Sequence, residues 1–250
     1  MAVKTILVSQ PKPEGTKSPY FDLAEKYNLK IDFRSFIHVE GLDSQEFRAQ
    51  KVNLPDHTAV ILTSKNAVDH FFRIAGEMRF TVPDSMKYFC ISEAVAYYLQ
   101  KYVAYRKRKI FFGKQTIIDL IDILKKHKKE KFLLPCADRL RDKIPMTLEE
   151  HKLNFTKAIL YRTVASDLSD LEDVYYDMLV FYSPGGVESL MKNFPDFKQN
   201  NTIIAAFGPT TAKAIVDNNL RVDLHAPQPN APSMTGAIEN FVKGKLRLAK

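Results

Sequence analysis

The sequence predicts an α/β fold: two parallel-sheet α/β lobes joined by a two-stranded connector, with a cleft between them. Three observations carry this. Short apolar runs alternate with amphipathic stretches along the 250 residues, the order that builds parallel sheets with helices on both faces. Several runs end in a Ser, Thr or Gly turn that opens a helix. The pattern also occurs twice, at residues 58–72 and 178–194, and self-similarity at a long period points to two related lobes.

In the later copy, residues 178–182 are an apolar and aromatic run long enough for a buried strand. Ser183 suits a helix N-cap and Pro184 the first helical position. Val187, Leu190, Met191 and Phe194 then share one helical face. Ser183, Gly185 and Gly186 sit where free backbone N–H groups and the positive end of the helix dipole can meet an anion. The simpler reading of this stretch alone is a capped turn that holds no ligand. In the earlier copy residues 59–62 are the strand, Ser64 the cap, and Ala67, Val68, Phe71 and Phe72 the buried face. The next strand and turn of each copy correspond too. Residues 202–207 lead into Gly208-Pro209-Thr210-Thr211-Ala212, and residues 88–91 into Ser92-Glu93-Ala94-Val95-Ala96.

In chain order, residues 5–8 read as a strand and Pro11, Pro13, Gly15 and Pro19 as a loop. A short helix over 20–27 ends at Asn28. Ile31, Phe33, Ser35, Ile37 and Val39 alternate with other residues along one extended stretch that stops at Gly41. A second extended stretch covers 155–164. The two are expected to be the crossings between lobes. One lobe is then residues 1–37 plus 166–250, and the other is inserted as 38–165, connector strands included. Inside the insert, strands are expected at 59–62, 88–91, 110–112 and 132–134, and helices at 65–78, 94–102, 117–127 and 141–151. After the return, strands at 178–182, 202–207 and 222–224 each precede a helix, the last over 234–242 behind Ser233. In parallel sheets ligands bind outside the carboxyl ends of the strands, where all these turns lie.

The net charge of +8 favours anionic partners, although a soluble protein that is merely basic fits it equally. The two cysteines, Cys90 and Cys136, form no CxxC pair, and the six histidines show no ligand spacing. No metal is expected, and a reduced, cytoplasmic compartment fits best. Residues 5–8 are too short an apolar stretch for a secretory signal, and no run approaches a membrane span. Neither Gly-x-Gly-x-x-Gly nor a P-loop occurs, and there is no Gly-x-Ser-x-Gly elbow. The basic clusters 106–109 and 125–129 read as solvated edges; they lack the interleaved aromatics of a single-strand site, so no nucleic-acid partner is expected. What remains is hydroxyl-bearing turns, scattered cations and one tyrosine in a polar stretch, Tyr161-Arg162-Thr163. This equipment suits binding a polyanion and donating a proton.

Leu62-Thr63-Ser64-Lys65-Asn66-Ala67-Val68, the run Leu-Leu-Pro-Cys-Ala-Asp-Arg-Leu-Arg-Asp at 133–142, Leu160-Tyr161-Arg162-Thr163, Phe181-Tyr182-Ser183-Pro184-Gly185-Gly186-Val187, Phe-Gly-Pro-Thr-Thr-Ala-Lys-Ala at 207–214 and Ala226-Pro227-Gln228-Pro229-Asn230 succeed one another in a specific order. In these the chain resembles the uroporphyrinogen-III synthase family over nearly its whole length. The resemblance implies a two-lobed α/β enzyme that cyclises the linear tetrapyrrole hydroxymethylbilane to uroporphyrinogen III, losing water and inverting the last ring through a spiro intermediate. It implies no cofactor, a small-molecule substrate as partner, no membrane, and a monomer. Tyr161 matches the tyrosine thought to assist departure of the hydroxyl, as proton donor or simply as cleft wall. Thr210 and Thr211 match paired threonines at the substrate cleft, and Ser64 and Ser183 the equivalent serines of the two lobes. Thr63, Lys65 and Asn66 belong to the same substrate-binding turns, as do Pro184, Gly185, Gly186, Gly208 and Pro209. Arg139 and Arg141 lie in the family's basic turn. The chain departs from the pattern at Val95, where a threonine is usual, and at Ser9-Gln10, where many relatives carry an arginine. The competing reading is a non-catalytic two-lobed module that binds a carboxylate- or phosphate-rich ligand.

Overall fold

The computed structural model describes residues 3–139 and 143–248, the last four by backbone alone. In chain order the elements are β1 Thr5–Val8, α1 Pro19–Tyr27, β2 Lys30–Phe33, β3 Ile37–Gly41, α2 Ser44–Ala49, β4 Ala59–Leu62 and α3 Lys65–Glu77. Then come β5 Lys87–Cys90, α4 Glu93–Leu99, β6 Ile110–Phe112, α5 Ile118–Lys126, β7 Phe132–Ala137, α6 Lys143–Glu150 and β8 Phe155–Ala165. The chain finishes with β9 Met178–Phe181, α7 Pro184–Asn193, β10 Ile203–Phe207, α8 Pro209–Asp217, β11 Leu224–Ala226 and α9 Met234–Leu248. It divides into two units, Met1–His38 with Val164–Lys250 and Val39–Thr163. The divisions fall inside β3 and β8.

The first unit is built on a five-stranded sheet, β11-β10-β9-β1-β2, parallel throughout. Its three inner strands, β1, β9 and β10, are buried on both faces, which is why they read as continuous apolar runs. Ile6, Val8, Met178 and Val180 enter one core, and Leu7, Leu179 and Phe181 the other. The second unit has the order β3-β8-β7-β4-β5-β6, with β8 to β6 parallel. It divides in the same way: Val60 and Leu62 face one core, Ala59 and Ile61 the other. The predicted α/β class and parallel sheets hold.

Several expected boundaries do not. The stretch from Ile31 to Gly41 is two strands rather than one. β2 joins the first sheet and β3 the second, and Phe36 between them is 1% exposed in the first unit's core. No Gly or Pro marks the break; its signal is the polar Ser35 in the apolar phase and Phe36 out of it. β7 runs on through Pro135 to Ala137. Its ladder with β4 ends at Leu133, so the missing N–H of Pro135 leaves no β4 bond unmade. β11 lies two residues later than expected, and α9 extends to Leu248. Helix α2 was not expected, although Asp43 and Glu46 close a full capping box around its start. The start of the helix expected over 141–151 lies outside the described residues.

Candidate functional site

In the second unit the site grows from an irregularity in β8. Cys136 pairs with Ile159, but Ala137 pairs with Tyr161, so one residue of β8 is skipped. In even register neighbouring side chains point to opposite faces. Here Ala158, Leu160 and Tyr161 all enter the same core. The bulge therefore turns Tyr161 onto the face covered by α3, a re-aiming that β-bulges commonly perform. The phenol is 8% exposed, and its oxygen lies 3.4 Å from the hydroxyl of Ser64. Ser64 caps α3, its oxygen accepting the Ala67 N–H at 3.0 Å. Burial, the larger influence, holds the phenol above its ordinary pKa, opposed by the Ser64 bond. Tyr161 is thus a protonated donor across the neutral range.

The ring of His70 stacks on Tyr161, centroids 4.9 Å apart and planes 21° from parallel. Its Nδ1 accepts from Arg73 Nε at 3.2 Å, which places the ring proton on Nε2. Burial and then the Arg73 charge push the imidazole below its ordinary pKa, with Asp69 opposing. Lys65 and Asn66 are exposed and Thr63 half-buried. Lys65 Nζ sits 5.3 Å from the centroid of the Tyr98 ring, whose hydroxyl donates to the Asp69 carboxylate at 2.8 Å. Arg139 is exposed in the turn after β7, its backbone N–H donating to Asp138. Arg141 lies outside the described residues.

The first unit presents the other turns. Ser183 caps α7 by accepting the Gly186 N–H at 3.3 Å. A side chain at Gly186 would come within 3.3 Å of Phe181 and 3.4 Å of the Ser9 hydroxyl, so glycine lets the β1 turn approach. Ser183, Pro184 and Gly185 are half-buried and Gly186 buried. Just before this turn the hydroxyls of Tyr182 and Tyr20 meet at 2.6 Å. At the end of the neighbouring strand β10, Gly208 adopts φ 85° and ψ 153° and caps α8 without any side-chain bond. The first-turn N–H groups of α8 have no intrahelical partner, so they stay open to an anion. Pro209 and Thr210 are exposed, but Thr211 is 1% exposed. Of the paired threonines, Thr210 is thus the exposed one and Thr211 the buried one.

Within each unit the expected residues thus gather at strand carboxyl ends. A cavity of about 570 Å³ in the first unit does not share them. It lies against Tyr176, Phe194 and Phe197, beside the far end of α7. Among the described residues no three His, Cys, Asp or Glu side chains gather as a metal site. Cys90 and Cys136 are free and buried, burial pushing their thiols up to about 12 and about 11. The partners missed in the sequence are His70 and Arg73. Their spacing places them on one face of α3, but nothing local shows that β8 lies under that face.

The sequence matches the family model described as uroporphyrinogen-III synthase HemD over residues 20–236. It is 26% identical over 143 residues to the uroporphyrinogen-III synthase of Saccharomyces cerevisiae, a match covering 52% of each protein. The chain thus spans about half the length of the curated relative it matches. The structure is similar to that of the uroporphyrinogen-III synthetase from Helicobacter pylori, with a TM-score of 0.58 at 17% identity, covering 96% of this chain and 99% of the other.

Proposed function

The chain belongs to the uroporphyrinogen-III synthase family, and on that premise we propose that it cyclises hydroxymethylbilane to uroporphyrinogen III. Water is lost and the last ring is inverted through a spiro intermediate. The observation that carries the reading is the Tyr161 hydroxyl, un-ionised and turned by a bulge onto the capped start of α3. Closure of this substrate is already facile, so the protein must mainly select which carbon reacts. Holding the substrate folded brings the substituted carbon of the last ring nearest the reactive methylene. Tyr161 then donates its proton to the departing hydroxyl. Ser64, 3.4 Å away, supports the phenolate left behind. Attack by the substituted carbon, fragmentation and reclosure complete the reaction, and the phenol regains a proton.

Carboxylates of the substrate are met by helix starts and cations: Ser183 to Gly186, Gly208 to Thr210, Thr63 to Asn66, and Arg139. Arg141 is assigned to the same role from the sequence alone. We place the reaction in the cytoplasm and in a monomer. No described helix is long and apolar enough to cross a membrane. The test is to supply fresh hydroxymethylbilane and identify the porphyrin isomer after oxidation. Type III product is expected. Type I alone, the product of uncatalysed closure, would sink the proposal and leave a binding module.

A further inference from the structure

The Arg73 side chain takes no part in the steps proposed for this reaction, yet it is held by many contacts. It is only partly exposed, and four of its five N–H donors are placed. Nη1 meets the Glu77 carboxylate one turn further along α3. Nη2 donates to two carbonyls, Leu42 at 2.7 Å and Leu160 at 3.1 Å. Leu160 is the residue skipped by the β7 register, so this bond clips the bulge itself. The same carbonyl accepts the Leu42 N–H at 2.9 Å. Nε donates to His70, whose ring lies against the phenol. One planar group thus grips both the backbone that aims Tyr161 and the ring that flanks it. A second observation is independent of these bonds. A β-carbon at Gly41 would lie 2.7 to 2.9 Å from the guanidinium atoms Nη2, Cζ and Nε. The end of β3 is bare where the guanidinium rests.

We propose that Arg73 is a positioning residue for the Tyr161 hydroxyl, holding the β8 bulge and the His70 ring in the one arrangement that points the phenol at Ser64. The inference rests on Tyr161 as proton donor. It needs guanidinium geometry rather than charge, because a lysine ammonium on a flexible stem has no planar fork to span a ring nitrogen and two carbonyls.

The experiment uses the whole protein and two variants, Arg73→Met and Gly41→Ala. The second keeps the charge and displaces only the movable end of the arginine side chain. Turnover to type III product is expected to fall about 10²-fold in Arg73→Met, the scale for a misplacement of roughly 1 Å, and less in Gly41→Ala. The Michaelis constant should stay near the wild-type value in both. Repeated in a Tyr161→Phe background, Arg73→Met should lower turnover little further, since the group it positions is gone. The phenolic carbon of Tyr161, followed by carbon-13 tyrosine NMR and assigned by loss in Tyr161→Phe, should shift in both variants. A loss of equal size in both backgrounds would mark Arg73 as a general structural clip and overturn the inference. An unmoved Tyr161 resonance would overturn it too. If the resonance moves but Tyr161→Phe itself turns over normally, the failure lies with the proton-donor reading on which the inference rests.

Discussion

The two units carry one sheet order in two chain orders. Strands β2-β1-β9-β10-β11 of the first correspond in sequence of pairing to β8-β7-β4-β5-β6 of the second. The second unit is thus the first with its opening strand pair moved to the end. The turns correspond as well: Ser183 with Ser64, Gly208 with Ser92, Ser9 with Asp138. The chemistry on these matching positions differs. The first unit offers a serine-capped helix start at Ser183, an uncapped one at Gly208, and an exposed threonine. The second offers a phenol, a neutral imidazole and a bound guanidinium, brought together by a bulge in β8. One scaffold supports two kinds of site because strand ends fix where a turn lies and leave its side chains free. The proton donor of the proposed reaction belongs to the second unit, whereas turns proposed to hold carboxylates occur in both.

The largest expected effect tests that donor directly. Tyr161→Phe keeps ring and packing but removes the acid, and turnover should fall roughly 10²-fold with little change in the Michaelis constant. Near-normal turnover would leave selection by geometry as the whole mechanism. Next come the paired helix starts. Gly208 holds a backbone conformation essentially reserved for glycine, so Gly208→Ala should destabilise on the order of 1–3 kcal/mol. Ser92, its counterpart, is extended and bonds the Val95 N–H at 3.4 Å, so Ser92→Ala should cost about 1 kcal/mol. Urea unfolding followed separately for each unit would read both, and equal losses would break the contrast.

A third comparison separates the adjacent threonines. Thr210→Ala should raise the Michaelis constant, by at most the 1.5–3 kcal/mol or so of a hydrogen bond to a charged group. The buried Thr211 should instead affect stability when changed to Ala. The reverse pattern in steady-state kinetics and melting would show that substrate reaches Thr211. The smallest expected effect is an acid arm in turnover. The folded pKa of His70 is depressed, so its contribution is complete above the unfolded value near 6.5 and lost as pH falls through the lower folded value. Protonation would break the Arg73 bond and set two cations side by side. His70→Phe keeps an aromatic stack but cannot protonate, so its pH profile should lack this arm; an unchanged profile would assign the arm elsewhere.

Local pattern carries much of this architecture in the sequence. Strand runs at 59–62 and 110–112 and the caps Ser64, Ser92 and Ser183 are readable because one residue type in one position does one physical job. The break at Arg34 to Phe36 carries no Gly or Pro, and its faint mark is a phase slip, with Ser35 polar where an apolar residue is due and Phe36 apolar beside Ile37. The Tyr161 constellation is not readable. A bulge depends on the partner strand's register, and His70 and Arg73 acquire their roles only when α3 is laid over β8. Thr210 and Thr211 look equivalent in sequence; helix phase alone turns one outward and the other in.

The chain order of the first unit also governs assembly during synthesis. β1 lies between β9 and β2, so an interior strand of that sheet is made first and its second neighbour only after the whole other unit has been synthesised. A lone two-stranded pair is marginal in water. The contiguous stretch from Val39 to Thr163 holds all its own neighbours in sequence and can close early. During translation every residue of that stretch is therefore made before residues 178–226, which supply three of the five strands of the first unit's sheet.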